Sequence, residues 1–197
     1  MHITINCAKS LDSIIEGNYS NKKDWKRVYE LRAKSDAVMV GINTILKDNP
    51  RLTTHDTGKE PIKIVIDSRC RIPKDARIFE TPAIIAVSEN APKESIAEIQ
   101  KKAKVIVCGR DKVDLCALIK QLSETGINKL MVEGGGTLIS SILDLNLADE
   151  LIVAIAPQIT SKGIRFIEKE LDAPINLKLK DVQKPDDVVV LKYEILK

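Results

Sequence analysis

The chain is short of aromatic residues, with one tryptophan, three tyrosines and two phenylalanines in 197 residues. It also lacks charge of one sign: 31 Lys and Arg stand against 28 Asp and Glu, a formal net charge of +3. A nucleic-acid binder needs a basic field or stacking platforms, and neither is present. Four cysteines, Cys7, Cys70, Cys108 and Cys116, form no C-x-x-C pair, and only His2 and His55 could assist them. No metal site is expected, and the thiols read as reduced residues of a cytoplasmic protein. Long apolar runs are missing too. The longest, Leu151 to Ala156, is six residues, against the roughly 20 that a spanning helix needs. Lys9, Asp12 and Glu16 interrupt the N-terminus, so no secretory signal is expected.

What is present is an ordinary globular composition, 44% hydrophobic and 30% charged, which excludes a charge-driven disordered chain. A chain of this length could bury roughly 70% of its unfolded surface, so one domain over 1–197 is expected. Short apolar strands alternate with amphipathic helices. Strands are expected at His2 to Ala8, Ala37 to Gly41, Ile62 to Asp67, Ala83 to Val87, Val105 to Cys108, Lys129 to Val132, Glu150 to Ala156 and Val188 to Ile195. Ile62 to Asp67 reads as apolar residues alternating with Lys63. A helix capped by Ser20 runs to about Lys34, with an apolar stripe of Trp25, Val28, Tyr29 and the stem of Arg32. Further helices cover Asn43 to Lys47, Pro92 to Lys102, Asp114 to Glu124 and the residues after Gly136. Pro157 to Pro185 is mixed and turn-rich. The alternation predicts an α/β fold with a mixed, mostly parallel sheet, helices on both faces and antiparallel C-terminal strands.

Four strand ends carry the chemistry. Leu130 to Glu133 runs into Gly134, Gly135, Gly136 and Thr137 and then a helix, a pattern suited to a phosphate. It is neither a P-loop nor a dinucleotide fingerprint, because no Gly-Lys-Ser/Thr follows and the third spaced glycine is missing. Gly41 leads into a short helix on which Thr44 and Asp48 share a face, followed by Leu52 and His55. The third end is Asp67-Ser68-Arg69, and the fourth is Cys108-Gly109-Arg110. Arg69, Arg71, Arg110 and Lys112 are cations suited to a ribose 2′-phosphate.

These motifs, Asp36 to Thr53, Val65 to Arg69, Glu133 to Thr137 and Ala154 to Pro157, taken in order, resemble the riboflavin-biosynthesis pyrimidine reductases, nearest to the archaeal branch. The resemblance implies a dihydrofolate-reductase-like fold, NADPH as cofactor and a homodimer. It implies reduction of the ribosylamino group of 2,5-diamino-6-ribosylamino-4(3H)-pyrimidinone 5′-phosphate. The alternatives are the deaminated 5-amino-6-(5-phosphoribosylamino)uracil or another small substrate, or a non-catalytic nucleotide-binding protein of the same fold. By resemblance, Ala8, Thr44, Asp48, Ser68, Arg69, Gly109 and the run Gly134, Gly135, Gly136 and Thr137 contact the cofactor. Arg32, Leu52, His55 and Glu133 face the substrate. Glu133 and Asp48 are the candidate proton donors, and Arg32, its guanidinium free to fork, is the candidate for the 5′-phosphate.

Overall fold

The computed structural model describes residues 1–197. The chain forms β1 (His2–Lys9), α1 (Lys22–Ala33), β2 (Ala37–Gly41), α2 (Ile42–Asp48), β3 (Ile62–Ile66), β4 (Ala83–Val87), α3 (Lys93–Gln100), β5 (Lys104–Val107), α4 (Leu115–Glu124), β6 (Lys129–Gly134), α5 (Gly136–Asp144), β7 (Glu150–Ile155), β8 (Leu177–Gln183) and β9 (Val189–Ile195). All nine strands join one sheet in the order β5-β4-β3-β2-β6-β1-β7-β9-β8. The first seven are mutually parallel, and β9 runs antiparallel to both β7 and β8. This is the mixed α/β sheet that the alternation called for.

Because side chains alternate along a strand, the sheet has two cores. On one face Ile3, Ile5, Met39, Ile64 and Val132 pack with Leu118 and Leu122 of α4 and Ile139 and Ile142 of α5. On the other, Val38, Val40, Val65, Ile85 and Met131 pack with Val28 of α1, Ile45 of α2 and Ile99 of α3. Each fully buried aliphatic side chain contributes about 1.5–3 kcal/mol relative to exposure. Covering both faces also decides the fate of Lys63. It shares the face of Val65, has no exposed surface, and places its ammonium 2.6 Å from the Glu60 carboxylate.

Three other expectations are corrected. The cap of α1 is Asn21, not Ser20: its side chain accepts from the Asp24 N–H at 2.9 Å. Trp25 stands exposed, while Val28 and Arg32 of the expected stripe are buried together with Asp24. The stretch expected to be turn-rich contains β8, an edge strand exposed along its whole length. A bulge between Leu179 and Asp181 breaks its period-two pattern, which is why alternation did not betray it.

Several carboxylates are tied to backbone N–H groups. Asp36 accepts from Asn128 and Lys129 at 2.9 and 2.8 Å, which holds it below the usual carboxylate range. The Ser10 hydroxyl, with the N–H groups of Thr160 and Ser161, holds Asp12 down to about 2. A carboxylate whose folded value is lowered stabilises the fold above its unfolded value near about 4 and loses that effect as pH falls toward the folded value. Urea denaturation midpoints are therefore expected to be level from about pH 7 to 5 and to fall steeply below about pH 4. A midpoint unchanged at pH 3 would contradict this.

Parallel alignment has one functional consequence. The C-terminal ends of β1 to β7 all reach the same edge, so the loops after Lys9, Gly41, Ile66, Val87, Val107, Gly134 and Ile155 gather there. Open α/β sheets place ligands at that edge.

Candidate active site

The glycine run after β6 has three different glycines. Gly134 has φ +131° and Gly135 φ +38°. A Cβ on Gly134 would meet nothing within 4 Å, and one on Gly135 would meet only the Thr44 hydroxyl at 3.8 Å. The space over this turn is therefore open, and Thr44 of α2 borders it. Gly136 differs: a Cβ there would collide with the Arg165 carbonyl and lie 2.7 Å from Cγ of Glu168. Its identity follows from close packing of the 165–168 segment. The helix α5 that begins here has no side-chain cap at its N-terminus. Its first N–H groups lack intrahelical partners, and with the helix dipole they favour an anion. An open glycine turn beside an uncapped helix fits the diphosphate of a dinucleotide.

Glu133 immediately precedes that turn. Its side chain is 11% exposed and is gripped by Arg32 of α1. Arg32 donates from Nε to Oε1 at 2.7 Å and from a terminal nitrogen to Oε2 at 2.6 Å, while its other terminal nitrogen donates to the Thr53 carbonyl at 2.8 Å. Burial alone would lower the guanidinium's pKa, but the Glu133 charge and hydrogen bond outweigh it and push it up. The expectation of a guanidinium free to fork around a phosphate is thus not met, because the fork is already on Glu133. The pair is supported from below. Thr54 donates its N–H and hydroxyl to Glu60 at 2.7 and 2.6 Å, and Glu60 in turn holds Lys63. Burial would raise Glu60, yet the hydrogen bonds from Lys63 and Thr54 hold it below its ordinary value. This buttress fixes the 52–54 turn, where Leu52 is buried with φ +54°.

The remaining expected residues spread along the edge. Ala8 lies opposite Ala154, beside β6 on the neighbouring strand. Asp48, the last residue of α2, is exposed, and the helix stops at Asn49 in a left-handed conformation. His55 is exposed and stacks on Tyr29, ring centroids 4.2 Å apart, and Tyr29 stacks on Trp25 at 5.8 Å. The Ser68 hydroxyl accepts from the Val113 N–H at 3.0 Å, joining the ends of β3 and β5. Gly109 has φ +84°, and a Cβ would collide with the Lys112 carbonyl, so its own turn explains it. Arg69 lines a polar cleft of about 350 Å³ with Ser88, Asn90, Pro92 and Asp111. Thr137 is exposed, and its hydroxyl donates to Glu168 at 2.7 Å.

Sequence reasoning missed a clasp of two loops beside the glycine turn. Asp12 accepts from the Thr160 and Ser161 N–H groups, Glu16 accepts from Ile164 and pairs with Lys47, and Phe166 N–H bonds the Ser13 carbonyl. It also missed Glu60, and Tyr29 and Lys63 entered it only as members of a helix stripe and a strand. The Glu60-x-x-Lys63 spacing was the one local signal available for that cluster.

No group of three or more His, Cys, Asp or Glu side chains is placed to hold a metal, and no helix is long and apolar enough to cross a membrane. All four cysteines are free, and burial pushes the Cys7 thiol up to about 12.

The family described as the RibD C-terminal domain matches residues 1–191. The 2,5-diamino-6-ribosylamino-4(3H)-pyrimidinone 5′-phosphate reductase of Methanothermobacter thermautotrophicus is 44% identical over 169 residues, covering 80% of this chain and 78% of that one. The solved riboflavin biosynthesis reductase of Saccharomyces cerevisiae superposes with a TM-score of 0.81 at 25% identity, covering 99% of this chain and 90% of that one. Schistosoma mansoni dihydrofolate reductase matches in fold alone, with a TM-score of 0.60 at 16% identity and both chains covered in full.

Proposed function

Because the chain belongs to the RibD C-terminal domain family, we propose that it is a reductase of riboflavin biosynthesis that converts 2,5-diamino-6-ribosylamino-4(3H)-pyrimidinone 5′-phosphate to its ribitylamino product with NADPH. The observation that carries this reading is one short stretch of β6. There an oriented carboxylate, Glu133, directly precedes the open glycine turn of Gly134 and Gly135. Substrate and dinucleotide would meet at that junction. NADPH would supply the hydride, and the substrate's opened ribosylamine, an imine, would receive it at carbon.

The chain's own residues have distinct tasks. Gly134, Gly135, Thr44 and the start of α5 hold the diphosphate, and Ala8 lines the ring end of the cofactor site. Glu133, fixed by Arg32, accepts hydrogen bonds from the substrate's amino groups and aligns the acceptor carbon, a contribution of several kcal/mol where alignment is good. Arg32 becomes a positioning residue. Asp48, exposed on α2, is the candidate to deliver the proton. His55, held on Tyr29 near Leu52, is left to meet the 5′-phosphate.

The test is NADPH oxidation by the purified chain, offered in parallel the diaminopyrimidine phosphate, its deaminated uracil analogue and dihydrofolate. Turnover with the first, at least about tenfold faster than with the second and absent with the third, is expected. Dinucleotide binding with no turnover on any of them would overturn the reading.

We further propose a cytoplasmic homodimer. Leu179 and Val182 of β8 stand 52% and 55% exposed on the edge of the sheet, on the face where Leu191 and Tyr193 of β9 are half-buried. A second copy would cover this apolar face. The double variant Leu179→Lys, Val182→Lys is expected to sediment as a monomer where the parent is a dimer. Unchanged sedimentation would reject this face.

A further inference from the structure

We infer that Lys63 and Glu60 are positioning residues for the substrate: their ion pair holds the 52–56 loop in its binding form and so sets substrate affinity without altering dinucleotide affinity. The inference rests on the reductase reading above for the side of the site that the substrate takes. The loop is strained. Leu52, His55 and Asp56 have φ of +54°, +48° and +64°, left-handed values that persist at non-glycine residues where the surroundings over-determine them. Leu52 and His55 face the substrate in that reading, and the Thr53 carbonyl between them accepts from Arg32 at 2.8 Å. The restraint is at the next residue. Thr54 is fully buried and donates its N–H and hydroxyl to Glu60 Oε1 at 2.7 and 2.6 Å. Its carbonyl accepts from the Thr57 N–H and hydroxyl at 3.1 and 2.7 Å. Glu60 is itself 37% exposed, and its other oxygen is held by the Lys63 ammonium at 2.6 Å. Lys63 lies between Val38 of β2 and Ala83 of β4 in the sheet register and has no exposed surface. One carboxylate thus ties the strained loop to the interior of the sheet.

Stability of the fold does not account for this ammonium. A buried ion pair is often no better than two apolar side chains of like volume, and methionine would serve the core equally well at Lys63. What the pair adds is a single location for Glu60. Without its counter-charge the buried ammonium would draw water inward. The Thr54 hydroxyl has a second acceptor within reach, the Gly58 carbonyl at 3.2 Å. Released from Glu60, the loop would relax from its left-handed values and withdraw Leu52 and His55. Glu133 would keep its place, because Arg32 holds both of its oxygens by bonds that do not involve the loop. The open glycine turn and Thr44 lie on β6, α5 and α2, other segments of the chain. The loss therefore falls on substrate binding, and neither the dinucleotide nor the aligned carboxylate shares it.

The test compares the parent chain with Glu60→Gln and with the double variant Glu60→Gln, Lys63→Met. Glutamine keeps an oxygen for Thr54 but strands the Lys63 cation, and the second change removes that cation. In Glu60→Gln, KM for the diaminopyrimidine phosphate is expected to rise at least about tenfold. Its kcat should stay within about threefold of the parent, and its NADPH dissociation constant by titration calorimetry within about twofold. Hydrogen exchange at the Thr54 and Thr57 amides should quicken at least about tenfold, with the amides of β6 unchanged. The double variant should return KM to within about threefold of the parent. KM and exchange unmoved within about twofold in Glu60→Gln, a parallel rise in the NADPH dissociation constant, or no recovery in the double variant would each overturn the inference while leaving the reductase reading intact. A parent chain that turns over no pyrimidine phosphate would overturn both.

Discussion

Replacing Glu133 by glutamine is expected to lower kcat about 10²-fold or more, with far-UV circular dichroism unchanged. The side chain is held at both oxygens by Arg32, within hydrogen-bonding distance, so its position is set before substrate arrives. Preorganised polar groups act without reorganisation cost, which is why their removal is felt in turnover more than in binding. Glutamine keeps the shape but presents an amide N–H₂ where the guanidinium or the substrate requires an acceptor. Arg32→Lys should show that geometry and not charge alone is needed. Lysine preserves the cation, cannot grip both oxygens, and is expected to lose about tenfold in kcat. Parent-like turnover in Glu133→Gln would remove the residue from the mechanism.

The second large effect is on stability. Arg32→Ala would leave the Glu133 carboxylate buried without its partner and the Thr53 carbonyl without a donor. Breaking a buried pair on one side costs about 3–5 kcal/mol, and in a chain of this size that corresponds to a Tm lower by roughly 6–20 °C. Exchanging both partners together, Arg32→Met with Glu133→Met, is expected to recover most of that loss while remaining inactive, because two apolar groups carry no desolvation cost. A single Arg32→Ala variant within about 1 kcal/mol of the parent would mean that water screens the pair.

Much of this arrangement could be read from the sequence. The strand-to-helix turns at Gly41 and Gly134 were legible because an apolar run, a glycine and a new helix follow one another within a few residues. Glu133 was legible as the last side chain before such a turn. Its grip by Arg32 was not, because the partners lie 101 residues apart and neither has a local pattern that announces the other. Lys63 was read only as alternating with apolar residues, a pattern that does not show that the sheet is covered on both faces or that Glu60 neutralises the ammonium. β8 stayed hidden because its bulge disturbs the alternation. The loop clasp depends on carboxylates meeting backbone N–H groups, as Asp12 does at Thr160 and Ser161, and backbone donors leave no trace in residue identity. Gly109 differs again, since its own turn is sufficient explanation for a glycine there.

The central claim is direct hydride transfer at the junction of Glu133 and the glycine turn. It is tested most directly by supplying NADPH deuterated at the transferring position together with the diaminopyrimidine phosphate, and locating the label in the product by mass spectrometry. The account predicts one deuterium on the former anomeric carbon of the ribityl chain, formed in step with oxidised cofactor and much more slowly in Glu133→Gln. Product without deuterium, or label incorporated at the parent rate in Glu133→Gln, would contradict it.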